Sequence, residues 1–327
     1  MKYHPHGDAS IGDALVQIGQ KDLMIDCQGN WGNTLTGDGA AAPRYIEARL
    51  SKFALHVAFN PKTTNWLASY DGRNKEPLTL PMKFPLLLAQ GVEGIAVGLA
   101  CKILPHNFNE LIEASIAVLR NEPVNLLPDF PTGGIIMGRR GIMEAYATGR
   151  GRIVVRGKVR HEKVGGRDAI IIDEIPYQVS QSALIEKIVE ASKEDRIADI
   201  SDVRNHSGRD ARTRIQVLLK KGADPAIVEK QLYEFTPLQT SYSIQNIALV
   251  NHQPRTLSLR QLIQCYIDHR REVILRRTRF ELRKAEERAE LLEGYIAALS
   301  NLDEFIRIIR SSRNRDEAKI KLLAFEW

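Results

Sequence analysis

The sequence predicts a multidomain α+β protein that ends in a long charged helix. At 327 residues, the chain exceeds the usual size of one compact core, so we expect two or three domains. Its middle part mixes segments rich in β-branched residues with amphipathic helical segments, which is typical of an α+β domain. From Ser258 onward the composition changes, because charged residues occupy nearly every helical face.

The first zone, to about residue 60, is rich in Gly, Asp and His and contains two helical patterns. One follows Asp8, a candidate N-cap, and the other runs from Ile46 to Val57. The apolar residues of the first pattern are Ile11, Ala14, Leu15 and Ile18. Between the two patterns lies a glycine-rich segment, residues 27–43 (CQGNWGNTLTGDGAAAP). We expect it to be a flexible polar loop.

The middle zone, roughly Trp66 to Pro254, is broken into short pieces by several prolines. Runs of β-branched residues predict strands at 152–159, 169–175 and 213–219. Helical spacing predicts helices at 109–120, 182–192 and 225–235. Strands and helices therefore share one α+β domain.

The last zone predicts one long helix that begins at a capping box, Ser258 to Gln261, and continues to about Arg310. Such a helix would be about 80 Å long. It carries a thin apolar seam of Leu282, Ala285, Ala289, Leu292, Ile296 and Leu299. A helix of this kind pairs with another helix. We expect the second helix to come from a partner chain or from sequence beyond the end of this one.

Composition limits the function classes. A formal net charge of +6 suits a polyanionic partner without requiring one. The three cysteines form no CxxC pair, which argues against a disulfide framework or a zinc site and fits a reducing cytoplasm. The most hydrophobic stretch, Leu86 to Leu104, contains charged residues and glycines and is not a membrane span. Its segment Gly91–Gly98 lacks a Walker lysine, which excludes a nucleotide site there.

One candidate for chemistry is a polar, basic face on the second helical pattern. At helical spacing, Tyr45, Arg49, Lys52 and His56 would share that face, with Arg44 beside the tyrosine. A phenol is a weak nucleophile at neutral pH because its ordinary pKa is about 10. Adjacent guanidinium groups favour the phenolate and bind phosphate oxygens. The pattern thus fits a phosphoryl acceptor, although by itself it favours a surface tyrosine on a solvated helix.

A second candidate is the opening segment KYHPHGD, in which Lys2, His4 and His6 precede a helix N-terminus. Such a terminus can hold a phosphate group. A metal site is the weakest interpretation, because no third ligand lies nearby in the sequence. A purely structural turn explains the segment equally well.

Taken together, several motifs resemble the A subunits of DNA gyrase and topoisomerase IV, the bacterial type IIA DNA topoisomerases. The similarity covers essentially the whole chain, in the same order, and its most specific element is AAAPRY followed by IEARL. The matching segments are KYHPHGD at 2–8, QGNWGN at 28–33, GDGAAAPRYIEARLS at 37–51, EGIAVGLACKILPHN at 93–107, DFPTGG at 129–134, EIPYQV at 174–179 and HRREVILRRTRFELRKAEERAELLEG at 269–294.

The resemblance implies three domains. Residues 1–65 would be a winged-helix-type region with the catalytic tyrosine, residues 66–257 the tower domain, and residues 258–327 the start of a coiled-coil arm. The family's sequence extends beyond this chain at both ends, so we expect an internal fragment that is inactive when isolated.

The resemblance also assigns roles to residues. Tyr45 would attack a DNA phosphate and form a 5′-phosphotyrosyl link, and Arg44 would stabilise the charge on the transferring group. Ile95 would be an apolar wedge that bends the DNA. The expected DNA contacts are Lys2, His4, His6, Arg49 and Ile95. Ala9 and Asp13 align with quinolone-contact positions, the first of which is Ser or Thr in most of the family.

The implied partners are double-stranded DNA, the topoisomerase B subunit, and a second A subunit, in an A2B2 complex in the cytoplasm without a membrane. Mg²⁺ and ATP would lie on the B subunit, so this chain would bind no metal or cofactor. Two other functions stay open: a non-catalytic DNA-binding and dimerisation scaffold, and a metal-dependent phosphodiesterase built around His4 and His6.

Overall fold

The computed structural model describes residues 3 and 5–325 and has a mixed α/β architecture. The chain divides into two compact units: Met1–Asn60 with Thr64–Arg270, and Pro61–Thr63 with Arg271–Trp327. The α+β class expected from the sequence is confirmed at this level. The domain boundaries after residues 65 and 257 stay predictions.

The first part of the larger unit contains two helices and a two-stranded antiparallel sheet. The elements are α1 Asp8–Gly19, β1 Ile25–Gln28, a 3-10 turn Pro43–Tyr45, β2 Glu47–Leu50 and α2 Lys52–Val57. The predicted single helix from Ile46 to Val57 is wrong. Its first half pairs with β1, and α2 begins only after Ser51, whose hydroxyl accepts a hydrogen bond from the Ala54 N–H at 2.9 Å. A strand partner from earlier in the chain overrode the local helical spacing.

A five-stranded antiparallel sheet forms the next part, in the order β5-β6-β13-β8-β7. The elements before and within it are β3 Trp66–Ala68, β4 Lys75–Pro77, α3 Leu86–Gln90, β5 Val92–Ala96, β6 Leu99–Ile103, α4 Phe108–Leu119, β7 Ile135–Ile136, α5 Arg140–Thr148, β8 Arg150–Arg156 and β13 Gln239–Gln245. The hairpin of β5 and β6 lies at one edge of this sheet. One residue pair, Gln245 with Lys102, joins the hairpin to β13.

A second, four-stranded antiparallel sheet has the order β11-β12-β10-β9. It and its helices comprise β9 Lys158–Val164, β10 Arg167–Glu174, α6 Gln181–Lys193, β11 Ile200–Asn205, β12 Ile215–Leu219 and α7 Pro225–Phe235. A core of buried aliphatic side chains, including Ile170, Ile172, Leu184 and Val228, packs the sheet against α6 and α7. Ile170 and Ile172 reach that core, whereas the alternate residues Ala169, Ile171 and Leu218 form a smaller buried cluster on the other face.

The predicted strand 152–159 is two strands, β8 and β9, that belong to different sheets. Gly157 lies at the crossing, where its N–H donates to the Leu238 carbonyl at 2.7 Å. A Cβ atom there would come within 2.7 Å of the Glu174 carbonyl oxygen. The close approach of two backbones explains both the glycine and the break.

After a small hairpin of β14 Ile247–Val250 and β15 Gln253–Thr256, the chain continues as α8 Leu259–Ser300, α9 Leu302–Arg310 and α10 Arg315–Ala324. The capping box is confirmed: the Ser258 N–H donates to the Gln261 side chain at 2.8 Å, and the Gln261 N–H donates to the Ser258 hydroxyl at 3.2 Å. With 42 residues, α8 is about 63 Å long at the standard rise. The expected helix to Arg310 is interrupted at Asn301, whose φ is −121° and ψ is 40°.

Candidate functional site

Tyr45 closes the 3-10 turn Pro43–Tyr45 that leads from the glycine-rich segment into β2. Pro43 begins the turn, and the Tyr45 N–H donates to the Ala42 carbonyl at 2.9 Å. The side chain of Tyr45 is 66% exposed. A macromolecular partner can therefore reach its phenolic oxygen.

Arg44 lies over the Tyr45 ring, with its guanidinium carbon 4.7 Å from the ring centroid. This is a cation–π contact, which orients the guanidinium beside the phenol. Arginine also binds phosphate oxygens through its planar set of donors. The pair can therefore place a nucleophile and a phosphate-binding cation next to each other.

Most of the glycine-rich segment is the predicted polar loop, but it also contributes one residue to the core. Trp31 in its centre is only 6% exposed. The indole N–H of Trp31 donates to the Gln28 carbonyl at 3.0 Å, and its own carbonyl accepts from the Gln20 side chain at 2.8 Å. Its ring packs so closely on α1 that a Cβ at Gly19 would lie 2.6 Å from it. One buried indole thus fixes the segment to α1.

Gly29 is a site residue that the sequence analysis did not single out. Its φ is +93°, in the left-handed region that favours glycine, and a Cβ there would lie 2.7 Å from the Tyr45 carbonyl oxygen. The backbone of the Tyr45 turn therefore rests directly on Gly29. The repeated glycines of QGNWGN hinted at a close backbone approach, but the sequence alone did not show its partner.

The shared basic face of Tyr45, Arg49, Lys52 and His56 does not form. Tyr45 is on the turn, Arg49 on β2, and the other two on α2. Arg49 lies opposite Asp26 in the sheet, and its guanidinium pairs with that carboxylate at 3.0 Å. Both side chains are exposed, so this ion pair is weak and another anion can displace it. A role of Arg49 in DNA binding stays a prediction.

The predicted phosphate seat before α1 is only partly described. Lys2 and His4 lie outside the described residues, and His6 is exposed. Gly7, rather than Asp8, is the N-cap of α1, and no side chain caps this end. Farther along α1, Ala9 and Asp13 are exposed and one helical turn apart. They consequently share one face of the helix.

Ile95 lies near the tip of the β5–β6 hairpin and is 84% exposed. It faces Ala100 across the hairpin. The turn beyond it contains Val97, which is fully exposed, and Gly98, whose φ is +74°. The hairpin thus presents two large apolar side chains to solvent.

His106, in the motif around Ile95, is buried and serves the fold. Its Nδ1 lies 2.8 Å from the Leu88 carbonyl oxygen, and its Nε2 lies 2.6 Å from the Tyr146 hydroxyl. Burial lowers the pKa of His106 to about 4, although the bond to Leu88 and the charge of Asp129 act in the opposite direction. The ring is therefore neutral at physiological pH.

Within residues 3 and 5–325, no three His, Cys, Asp or Glu side chains gather as a metal-binding group. The helices of this same range include none with the length and apolar character needed to cross a membrane.

Comparison with known proteins identifies relatives along the whole chain. The family of DNA gyrase/topoisomerase IV A subunits matches residues 1–325. The DNA gyrase A subunit of Pseudomonas aeruginosa is 45% identical over 343 aligned positions, which cover 100% of this chain and 37% of the relative. The corresponding protein of Granulibacter bethesdensis is 46% identical, with 100% and 36% covered. That of Helicobacter pylori is 43% identical, with 98% and 40% covered. The chain thus spans well under half the length of these relatives.

Proposed function

This chain belongs to the family of DNA gyrase/topoisomerase IV A subunits, and from that premise we propose that it performs the DNA breakage and reunion of a type IIA topoisomerase. The observation that carries the proposal is the accessible Tyr45 with the Arg44 guanidinium over its ring. The alternative functions lack a comparable pairing of nucleophile and phosphate-binding group among the described residues.

In the proposed reaction, the phenolic oxygen of Tyr45 attacks a backbone phosphorus and forms a new P–O bond. The bond from that phosphorus to the 3′ oxygen breaks. The phenol loses its proton and the 3′ oxygen gains one, which leaves a 5′-phosphotyrosyl link and a free 3′-hydroxyl. One phosphodiester replaces another, so the reverse reaction reseals the strand without an outside energy source.

Arg44 would bind a non-bridging phosphate oxygen and offset the charge that develops in the transition state. Lys2, His4, His6 and Arg49 would hold the neighbouring DNA backbone, as the family resemblance implies. The weak ion pair of Arg49 with Asp26 is compatible with this role, because a phosphate can replace the carboxylate.

Ile95 would insert between base pairs and bend the duplex. An apolar side chain that is 84% exposed at a hairpin tip is the kind of wedge that DNA-bending proteins use. In this proposal the winged-helix-type region, the tower domain and the coiled-coil arm keep the boundaries 1–65, 66–257 and 258–327. The apolar seam on α8 supports the proposed coiled-coil arm. Its residues Leu282, Ile296 and Leu299 are more than half exposed and so are accessible to a second helix.

The proposed assembly contains double-stranded DNA, two B subunits and two copies of the A subunit, in the bacterial cytoplasm. Mg²⁺ and ATP would be held by the B subunit, where the metal ion would assist phosphoryl transfer. Each of the two A subunits would cut one strand, so that two Tyr45 residues open a double-strand break.

The decisive experiment combines this protein with a gyrase B subunit, Mg²⁺ and supercoiled plasmid, and then denatures the mixture. We expect protein covalently attached to DNA 5′ ends. Tyr45→Phe should abolish the adduct, because phenylalanine has no nucleophilic oxygen. Tyr70→Phe is the matched control, since Tyr70 is similarly exposed, and it should leave the adduct unchanged.

Other outcomes would identify the alternatives. A scaffold would bind and bridge DNA without cutting it, and a metal-dependent phosphodiesterase would cut without leaving an adduct. An adduct that survives Tyr45→Phe would overturn the assignment of the nucleophile. Arg44→Ala should retain the adduct but slow its formation by about 100-fold, the usual effect of removing one transition-state donor.

A further inference from the structure

The motif EIPYQV, which the proposed reaction does not use, contains a strained residue. Gln178 has φ +65°, in the left-handed region, and the turn around it is closed by the Val179 N–H, which donates to the Pro176 carbonyl at 3.1 Å. A residue with a side chain costs on the order of 1 kcal/mol in this conformation, and glycine or asparagine usually occupies it. A long side chain that persists there points to a function for the side chain itself.

The Gln178 side chain reaches the hairpin that carries Ile95. Its amide nitrogen donates a hydrogen bond to one carboxylate oxygen of Glu93. The other carboxylate oxygen pairs with the Lys102 ammonium at 2.7 Å. Glu93 and Lys102 lie directly opposite each other on β5 and β6. Gln178 therefore clamps a cross-strand ion pair from outside the hairpin.

This ion pair is partly shielded, since each side chain is only about one-third exposed. Desolvation raises the pKa of Glu93, but hydrogen bonds from Lys102 and Gln178 outweigh it and hold the pKa below its ordinary value. The Lys102 ammonium also lies 5.5 Å from the centroid of the Tyr242 ring on β13. Gln178 and Tyr242 thus keep the charged pair in one arrangement.

The clamp lies at the base of the Ile95 hairpin. Glu93 and Ile95 are two residues apart on β5, so they share one face of the strand at a distance of about 7 Å. On its β6 side the described hairpin has one ladder pairing, Gln245 with Lys102, and β14 lies beside β6. The direction of its tip therefore depends in part on how its base is held.

A few residues after Gln178, the start of α6 holds the glycine-rich segment that leads to Tyr45. The Gln181 N–H donates to the Leu35 carbonyl at 2.8 Å, and the Ser182 N–H donates to the Thr36 carbonyl at 3.2 Å. Leu35 also packs against the core beneath α6. The first turn of α6 is thereby bonded to the segment that ends in the Tyr45 turn.

The segment between these two attachments is itself fixed to the body of the protein. The Tyr177 ring stacks on Phe130, with centroids 4.9 Å apart and planes at 19°. The Glu174 carboxylate accepts a hydrogen bond from the Gly134 N–H at 2.6 Å. Residues 174–182 are thus fixed to the body of the protein and attached both to the Ile95 hairpin and to the glycine-rich segment. They can therefore hold these two parts at a set distance.

We propose that Gln178, acting through Glu93 and Lys102, is a positioning residue that sets the Ile95 hairpin relative to the Tyr45 segment and so controls how DNA is bent for cleavage. This inference rests on the proposed function. The groups that act on the DNA are Tyr45 and Ile95, whereas Gln178 acts only through the hairpin.

The key variant is Gln178→Gly, because it relieves the left-handed strain while removing the clamp. A merely structural role predicts that this change leaves DNA bending intact. We expect thermal stability equal to or above that of the unmodified protein, together with about tenfold less bent DNA and about tenfold less cleavage complex. That fold-change corresponds to about 1.4 kcal/mol. Asn251→Gly is the matched control, since Asn251 also has a positive φ, 51°, but lies in the β14–β15 turn.

The measurement uses the full chain with a gyrase B subunit, Mg²⁺ and a short duplex labelled at both ends. Energy transfer between the labels reports bending, and trapped adduct reports cleavage. In an Ile95→Ala background, Gln178→Gly should have no further effect, because both changes act through one wedge. Glu93→Lys and Lys102→Glu should each reduce bending, because each breaks the ion pair that Gln178 holds. The two together should still bend DNA less than the unmodified protein, because a lysine at position 93 offers no carboxylate to the Gln178 amide.

Normal bending and cleavage by Gln178→Gly would overturn the inference, as would independent, multiplying effects of Gln178→Gly and Ile95→Ala. Full restoration of bending by the charge-reversed double variant would also contradict it, because the Gln178 bond to Glu93 would then be dispensable. Should the unmodified protein neither bend DNA nor form the Tyr45 adduct, the proposed function itself fails and the inference falls with it. The unmodified and Ile95→Ala proteins therefore separate the two kinds of failure.

Discussion

Replacing Gly29 by alanine tests whether the Tyr45 turn depends on a close backbone contact. The added Cβ would lie 2.7 Å from the Tyr45 carbonyl oxygen and 3.3 Å from the Ile46 Cα atom, whereas ordinary contacts begin near 3.4 Å. The carbonyl must therefore move away, and the turn must move with it. A displacement on the order of 1 Å in a catalytic group can reduce a rate about 100-fold.

The same substitution has a second cost that must be separated from the first. Gly29 has φ +93°, and a residue with a Cβ costs about 1–2 kcal/mol in the left-handed region. Gly222→Ala is the matched control, because Gly222 has φ +86° and no heavy atom within 4 Å of its added Cβ. Gly222→Ala should show the conformational cost alone. Gly29→Ala should lose about 1–3 kcal/mol more through overpacking.

The assay measures the rate of covalent adduct formation on plasmid, beside thermal unfolding of each variant. We expect Gly29→Ala to cleave about 100-fold more slowly and Gly222→Ala to cleave at the unmodified rate. If both variants cleave alike, the Tyr45 turn does not rest on Gly29 in the way that the distances indicate. If Gly29→Ala loses no more stability than its control, the Tyr45 carbonyl moves away from the added Cβ at little energetic cost, contrary to the 2.7 Å distance.

Three other predictions concern pH, helix capping and drug response. The pKa of His106 is about 4 in the folded protein and 6.5 ordinarily, so between these pH values the unfolded chain binds a proton that the folded chain does not. The free energy of unfolding should therefore fall by about 2 kcal/mol from pH 7 to pH 5 in urea titrations. A free energy that does not change over this pH range would contradict the prediction. Ser258→Ala should lower the free energy of unfolding by about 1 kcal/mol through loss of its bond to the Gln261 N–H, measured by urea unfolding; an unchanged value would show that the cap is dispensable. Ala9→Ser should lower the quinolone concentration needed to trap cleavage complexes roughly tenfold, the equivalent of one hydrogen bond. The amount of linear plasmid measures the trapped complexes, and Asp13→Asn in the same background should abolish the gain. An equal drug response of Ala9→Ser and the unmodified protein would argue against a contact between residue 9 and the drug.

Helices with strong local patterns were predictable from the sequence. The helix Pro225–Phe235 has the predicted bounds, and the start of α8 has the predicted reciprocal cap. In both cases the deciding interactions lie within a few residues of each other, as in the bond of Asp224 to the Ala226 N–H. Local hydrogen bonds and helical spacing depend on neighbouring residues, so they can be predicted from the sequence.

The elements around Tyr45 were not predictable in the same way. The stretch after Tyr45 has helical spacing, yet Glu47–Leu50 pairs with Ile25–Gln28 as a strand. The composition of the glycine-rich segment predicted no core residue, yet Trp31 is buried against α1. Each outcome depends on a partner that is distant in the sequence, and spacing within one segment carries no information about such a partner.

The sequence by itself determined the α+β class and the helices with strong local periodicity, because these rest on composition and spacing. It determined the choice of Tyr45 and Arg44 as candidate residues only through the motifs AAAPRY and IEARL. Only the tertiary structure decided that Tyr45 stands on an exposed turn against Gly29 and that Ile95 projects from a hairpin clamped by Gln178. The physical reason is that backbone contacts and cross-strand bonds between remote segments fix a side chain in space, and they form only when the chain folds.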